Sequence, residues 1–152
     1  MLKTIRNIII IFVIFVVIII APFFIVTIIN DTYTAILTNE MRKSKAPPQT
    51  EIVEIVSYLG NSTGTSNHAE AWICMLLKSK LSEEDLTEYY EQVYKQIRVY
   101  KVTKDRLQWV YMGRHNKIFE SLKNTVDYNE YFTVERIEGR YGLLWFFDPR
   151  GH

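Results

Sequence analysis

The sequence predicts an α+β protein: an N-terminal transmembrane helix, then a small domain in which two helices pack on one face of an antiparallel sheet. Two observations lead to this class. An uncharged apolar run of 22 residues occupies positions 8–29. Beyond residue 50, short apolar or alternating segments are separated by polar turns and by an amphipathic helical pattern. The predicted element order is β-β-α-β-α-β-β, which is typical of an antiparallel sheet covered by helices.

The apolar run has the length and composition of a membrane span. Nineteen of its 22 residues are Ile, Val or Phe. As a helix it rises about 33 Å, enough to cross a hydrocarbon core of roughly 30 Å. One alternative is a buried core helix, although such helices are usually shorter. The other is a cleaved signal peptide, which has a shorter apolar region and a small-residue cleavage site. We expect an uncleaved anchor that contacts the lipid bilayer.

The charges that flank the span predict its orientation. Lys3 and Arg6 lie directly before it, whereas Asp31 follows it and the next cations begin only at Arg42. Because cationic flanks favour the cytoplasmic side, we expect a cytoplasmic N-terminus and an extracytoplasmic domain at the cell membrane. The predicted parts are a cytoplasmic N-terminus at 1–7, a transmembrane helix at 8–29, a juxtamembrane linker at 30–50 and the α+β domain at 51–152. Residues 30–39 of the linker can continue the helix for a turn or two, and a polar, cationic segment with two prolines follows at 42–48.

Five main strands are predicted in the domain, with one further short strand at 99–102. The first two should pair antiparallel across the polar loop 60–68, and the second is apolar on both faces, as expected of a central strand. Gly139-Arg140 predicts a hairpin turn between the last two. The five segments are 51–59, 70–77, 106–112, 131–137 and 143–147.

Two helices are predicted between these strands. Ser82 and the three acids after it form a helix start, since Ser caps free amides and acids favour the positive end of the helix dipole. An apolar stripe follows that includes three tyrosines and ends at Ile97, and we expect it to pack on the sheet with the hydroxyl groups at the sheet's rim. A second, weaker helix is predicted at 116–126.

The composition excludes several functions. From residue 50 onward there are 13 Lys and Arg against 15 Asp and Glu, so the domain has no basic nucleic-acid footprint. The single cysteine, Cys74, cannot form an internal disulfide and lies in the middle of an apolar strand, where we expect it to be buried and inert. A domain stable without disulfides suits a bacterial envelope.

The chain contains no Walker A loop, GxGxxG, HExxH, CxxC or GxSxG motif. We therefore assign no cofactor and no metal, and consider an enzyme less expected than a binding protein. The loop 60–68 is the first candidate site, because its glycines allow close backbone approach and its amides can form an anion nest. An ordinary hairpin loop is the alternative. The ligand-binding candidates are Gly60, Asn61, Gly64 and Asn67.

The C-terminal residues form the second candidate site. Asp148, Arg150 and His152 follow an apolar strand that can deliver them to a surface site, although a disordered tail is the alternative. With His68 they can bind a divalent metal or pair a general base with an orienting carboxylate, if the fold brings them together. They are the catalytic candidates, and no serine or cysteine is clearly placed as a nucleophile.

Three stretches suggest a family. These are Gly60-Asn61-x-x-Gly64-x-x-Asn67-His68, Leu77-Lys78-Ser79-x-Leu81-Ser82-x-Glu84-x-Leu86-x-x-Tyr89-Tyr90, and the closing Asp148-x-Arg150-Gly151-His152. Together they resemble small membrane-anchored or secreted proteins of Bacillota that have no known activity. The resemblance covers roughly residues 50–152. It implies a Gram-positive host and assigns no catalytic residue.

Three functions follow as hypotheses. The first is a single-pass membrane protein that presents a binding or accessory domain to an envelope protein or a small ligand. The second is an envelope enzyme, hydrolytic or metal-assisted, that uses the loop 60–68 and the C-terminal residues. The third is a partner that acts through its transmembrane helix, which the lack of small residues in the span disfavours.

Overall fold

The computed structural model describes residues 2–61, 69–105, 119–123, 125, 127–139 and 148–151. It has the predicted α+β class, with a long N-terminal helix followed by a four-stranded antiparallel sheet and a second helix. Two short 3-10 turns lie at Glu120–Leu122 and Pro149–Gly151. The main elements are α1 (Leu2–Lys43), β1 (Thr50–Gly60), β2 (Glu70–Ser79), α2 (Glu83–Val93), β3 (Ile97–Lys101) and β4 (Tyr131–Glu138).

Helix α1 is long and apolar enough to span a membrane. Its large apolar side chains are exposed on all sides over residues 8–25, an exposure that the core helix of a soluble domain would not have. Threonines near its middle do not interrupt the helix, because their hydroxyls donate to the carbonyl four residues earlier. Thr27 donates to Phe23 O at 2.8 Å, and Thr32 to Ile28 O at 2.8 Å.

The linker predicted at 30–50 is helical over most of its length. Helix α1 continues without a break to Lys43 and presents one buried stripe to the domain. The stripe recurs every three or four residues, which places its members on one face. Its members are Val26, Asn30, Thr34, Leu37 and Met41. The sequence predicts that the helix continues for only a turn or two beyond the apolar run. The helix extends further, to Lys43, and its buried stripe makes this segment part of the domain's core.

The sheet has the order β1-β2-β4-β3, and every pair of neighbours is antiparallel. The predicted pairing of the first two strands is correct, with Thr50 opposite Ser79 and Gly60 opposite Glu70. Strand β2 is central, and all its residues from Glu70 to Leu77 are buried. The strands predicted at 106–112 and 143–147, and Arg140 of the predicted turn, lie outside the described residues.

Alternate residues of β2 feed two cores on opposite faces of the sheet. On one face Ile73 and Met75 pack with Leu37 and Met41 of α1 and with α2. On the other face, the partners of Trp72, Cys74 and Leu76 include Phe119 and Leu122. Two helices therefore cover one face, as predicted, but they are α2 and the extension of α1. The predicted helix at 116–126 is wrong where the structure describes it, because a three-residue 3-10 turn stands there on the opposite face.

Helix α2 begins at the predicted cap and ends earlier than expected. Ser82 accepts a hydrogen bond from Asp85 N, and the Asp85 carboxylate accepts one from Ser82 N, which completes a capping box. The helix ends at Val93, because the C-cap residue Tyr94 has an extended backbone with a φ of −130° and a ψ of 148°. Gln96 then has a left-handed φ of 56°, and Ile97 begins β3.

The hydroxyls of Tyr89 and of the C-cap residue Tyr94 reach the end of α1 and the segment after it, and not the rim of the sheet as predicted. Tyr89 donates to Lys45 O at 3.0 Å, and Tyr94 donates to Glu40 O at 3.4 Å. Glu40 lies in the last turn of α1, where backbone carbonyls have no helical partner, and Lys45 lies two residues beyond the end of that helix. Tyr89 and Tyr94 therefore connect α2 and its C-cap to the end of α1 and to the residues that follow it.

Candidate functional site

The structure describes four of the eight predicted site residues. Gly60 ends β1 and Asn61 follows it, while Asp148 directly precedes the C-terminal 3-10 turn that contains Arg150. The other four lie outside the described residues, as does the third histidine, His115. These four are Gly64, Asn67, His68 and His152.

The described loop and tail residues lie side by side. The backbone N–H of Asn61 donates to the carbonyl of Arg150 at 3.1 Å, so the end of β1 is bonded to the C-terminal segment. Arg150 also contacts α1. Its Nη1 donates to Asp31 Oδ1 at 2.6 Å and its Nη2 to Thr27 O at 3.3 Å. One arginine thus connects the end of β1 to the segment of α1 where the apolar run ends.

Asp148 is the buried centre of this cluster, with no exposed side-chain surface. Its Oδ2 accepts from Asn30 Nδ2 at 2.9 Å and from Arg150 Nη2 at 2.8 Å. Its Oδ1 accepts from Arg150 Nε at 2.9 Å and from the Arg150 backbone N–H at 3.1 Å. Burial by itself would raise the pKa of Asp148, but the bonds from Arg150 and Asn30 outweigh it and hold that pKa below its ordinary value.

Arg150 is held between two carboxylates. Its hydrogen bond to Asp148 raises the pKa of the guanidinium, and the bond to Asp31 adds to this against the opposing effect of burial. With Asp31 and Asp148 ionised, the three side chains carry a net charge of −1. Four of the five guanidinium N–H groups donate to Asp148, Asp31 and Thr27 O, and the fifth has no acceptor among the described residues.

The geometry of Asp148 makes it a weak general base. A base must have a lone pair that can reach a substrate proton and a pKa near the working pH. Both Asp148 oxygens already accept two hydrogen bonds, and its pKa is lowered. Within the described part of the chain, no group of three His, Cys, Asp or Glu side chains is placed to hold a metal ion.

Gly60 packs closely against the side chain of Tyr58. A Cβ at position 60 would clash with the Tyr58 hydroxyl. Burial raises the pKa of Tyr58, and the nearby charge of Arg150 partly offsets this. Together with the end of β1, Asp31 and Arg150 line an open recess of about 340 Å³. Its lining residues are Asp31, Thr34, Ala35, Ser57, Tyr58, Leu59 and Arg150.

Sequence reasoning did not find the α1 half of this cluster. Asn30 is 1% exposed and Thr34 is 7% exposed, yet both had been placed in a linker. The signal available in the sequence was spacing: Asn30 and Thr34 continue, at helical intervals, the row that leads to Leu37 and Met41. A polar residue in such a row indicates a buried hydrogen bond as readily as an exposed surface.

Two further recesses lie at the opposite end of the sheet and share Ser79, Lys80 and Glu130. They have volumes of about 470 and 430 Å³, and charges of both signs line them.

No protein-family model, no curated protein sequence and no solved structure matches this chain.

Proposed function

We propose that this chain is a single-pass membrane protein with a cytoplasmic N-terminus and an extracytoplasmic α+β domain that serves as a binding or accessory module. The exposed apolar surface of α1 supports the span. Lys3 and Arg6 beside the N-terminus support the orientation. The next cations, Arg42 and Lys43, lie in the last turn of α1, and Lys43 is about 21 Å beyond the apolar run. They are therefore well above the headgroups and oppose this orientation less than cations beside the span would.

The observation that carries this proposal is the continuity of α1. The helix whose apolar part is exposed enters the core of the domain, where Leu37 is 2% exposed and Met41 is fully buried. A module joined in this way cannot swing on a linker. It presents its surface at a fixed height and orientation, which suits a protein that positions a partner more than one that releases a product.

The cluster at Asp148 favours a binding module over an envelope enzyme. Arg150 donates hydrogen bonds to Asp148 and to Asp31 of α1, so the charged groups of the cluster already have partners. We call these three residues the tie, because they attach the C-terminal segment to α1. The hydrolytic or metal-assisted alternative required Asp148 as a free base or ligand beside His68 and His152. The recesses of mixed charge around Lys80, at the opposite end of the sheet, offer a binding surface to a partner protein or a small polar ligand.

Cysteine accessibility in intact cells tests the topology. In a Cys74→Ala background, Lys80→Cys should react with a membrane-impermeant maleimide before lysis, whereas Lys3→Cys should react only after lysis. The chain should also remain in the membrane fraction after alkaline washing. Labelling of Lys80→Cys only after lysis would overturn the orientation, and release by alkali or a shortened mature chain would overturn the anchor.

A further inference from the structure

The end of the domain nearest the apolar run is bonded to α1 at a defined level. Arg150 contacts Thr27 O and Asp31 of α1, and its carbonyl accepts from Asn61 N. We call the residues Gly60, Asn61 and 148–150 the membrane-proximal end. Its attachment level on α1 is therefore residues 27–31.

That level coincides with the boundary of the hydrocarbon core. The apolar run of 22 residues rises about 33 Å and so ends just beyond a core of roughly 30 Å. The headgroup layer beyond it is about 5–8 Å thick, which corresponds to four or five helical residues. Val26, although inside the apolar run, is only 6% exposed, so protein covers α1 on one side even at this depth.

We propose that the membrane-proximal end rests in the headgroup layer of the bilayer that α1 crosses, so that phospholipid headgroups are a binding partner of the domain. This inference rests on the proposed membrane span. The rigid stem makes it a consequence of geometry: with Leu37 and Met41 buried in the domain, the domain cannot move away from the surface without unpacking its core.

The chemistry of the surface fits zwitterionic headgroups. Asp31 is 57% exposed and offers a carboxylate to an ammonium group. Arg150 is 33% exposed, and the one N–H that has no acceptor among the described residues can donate to a phosphate. Since the cluster carries a net charge of −1, it gains nothing from anionic lipids. The contact should therefore persist in neutral bilayers.

Lipid-borne quenching tests the inference on the full-length chain. In a Cys74→Ala background, Asn61→Cys and the matched control Lys80→Cys are labelled with an environment-sensitive fluorophore. Each protein is reconstituted in phosphatidylcholine vesicles that contain a headgroup spin-labelled lipid. Because β1 is 11 residues long, the two ends of the sheet are about 33 Å apart. We expect severalfold stronger quenching at position 61 than at position 80.

Ser57→Cys, which lines the recess with Asp31 and Arg150, provides a second proximal site in case Asn61→Cys fails to fold. Equal quenching at the proximal and distal sites, or stronger quenching at Lys80→Cys, would overturn the inference. Failure of the headgroup contact and failure of the membrane span give different results. Loss of the chain from vesicles on alkaline washing would refute the span itself, whereas equal quenching in a chain that stays bound would refute only the headgroup contact.

Discussion

The two halves of α1 form one helix and differ in what surrounds their side chains. Over residues 8–29 nearly every position is apolar and most are exposed. Over residues 30–43 a single stripe is buried against the domain, and the other positions are mostly polar. Lipid surrounds a helix and requires apolar side chains on all sides, whereas a domain contacts only one face. The uniform apolar composition of the first half suits a helix surrounded by lipid. The periodic apolar stripe of the second half suits a helix that packs one face on the domain.

The largest expected effect comes from truncating the buried stripe. Met41→Ala should reduce the free energy of unfolding of the domain by about 3 kcal/mol, because it removes a fully buried side chain and leaves a cavity. Ile36→Ala is the matched control, since Ile36 is 51% exposed and its loss should cost within about 0.5 kcal/mol. Denaturant unfolding in detergent micelles, followed by tryptophan fluorescence, measures both. Equal losses would mean that the second half of α1 does not pack as described.

The second largest effect is expected at the boundary between the two halves of α1, in the tie that Arg150 forms with Asp148 and Asp31. Asp148→Asn removes the charge that holds Arg150 and should lower the free energy of unfolding by about 2 kcal/mol, the range for hydrogen bonds to charged groups. Asp31→Asn removes the other carboxylate of the same arginine. Because Asp31 is largely exposed, this change should cost less than about 1 kcal/mol. The same unfolding assay checks both, and a larger loss for Asp31→Asn would contradict the assigned centre of the cluster.

Sequence reasoning succeeded where a local pattern determines the structure. The uncharged run, the apolar segments that form β1 and β2 and the cap at Ser82 each depend on neighbours in the chain. It placed the cap correctly but not the C-terminal end of α2, because the change to extended backbone at Tyr94 has no composition signal.

The candidate site was only half predictable for a related reason. The tail residues Asp148 and Arg150 and the loop residues Gly60 and Asn61 stood out by type, but their partner Asn30 is 118 residues away from Asp148 in sequence. Nothing local signals a contact of that range. The two faces of the sheet show the same limit, since periodicity indicates that a helix packs somewhere but not which helix covers which face.

The tie should also respond to acid. The pKa of Asp148 is lowered in the folded state, so its contribution to stability is fully present above its ordinary pKa and is lost as the pH falls through the lowered value. The difference in the free energy of unfolding between wild type and Asp148→Asn should therefore shrink as the pH falls below about 4. Unfolding midpoints measured from neutral to acidic pH give this difference.

A second carboxyl does not confuse that comparison. Burial alone would raise the pKa of Glu54, but hydrogen bonds from Ser121 and Glu120 lower it, so it too contributes acid sensitivity. Because Glu54 is present in both proteins, its contribution cancels in the difference. A difference between wild type and Asp148→Asn that stays constant down to acidic pH would show that Asp148 is not ionised in the tie.

The smallest expected effect is at Tyr90, which packs against the buried half of α1 in the same core as Leu37 and Met41. Its hydroxyl is buried with no hydrogen-bond partner among the described residues, and burial raises its pKa. Tyr90→Phe should therefore be neutral or stabilise the domain by up to about 1 kcal/mol, since it removes an unsatisfied polar group. Tyr89→Phe is the control and should cost about 0.5–1 kcal/mol, because it loses the bond to Lys45 O. If Tyr90→Phe proved the more damaging of the two in denaturant unfolding, its hydroxyl would have a partner, and the contact between α2 and the second half of α1 would be more polar than described.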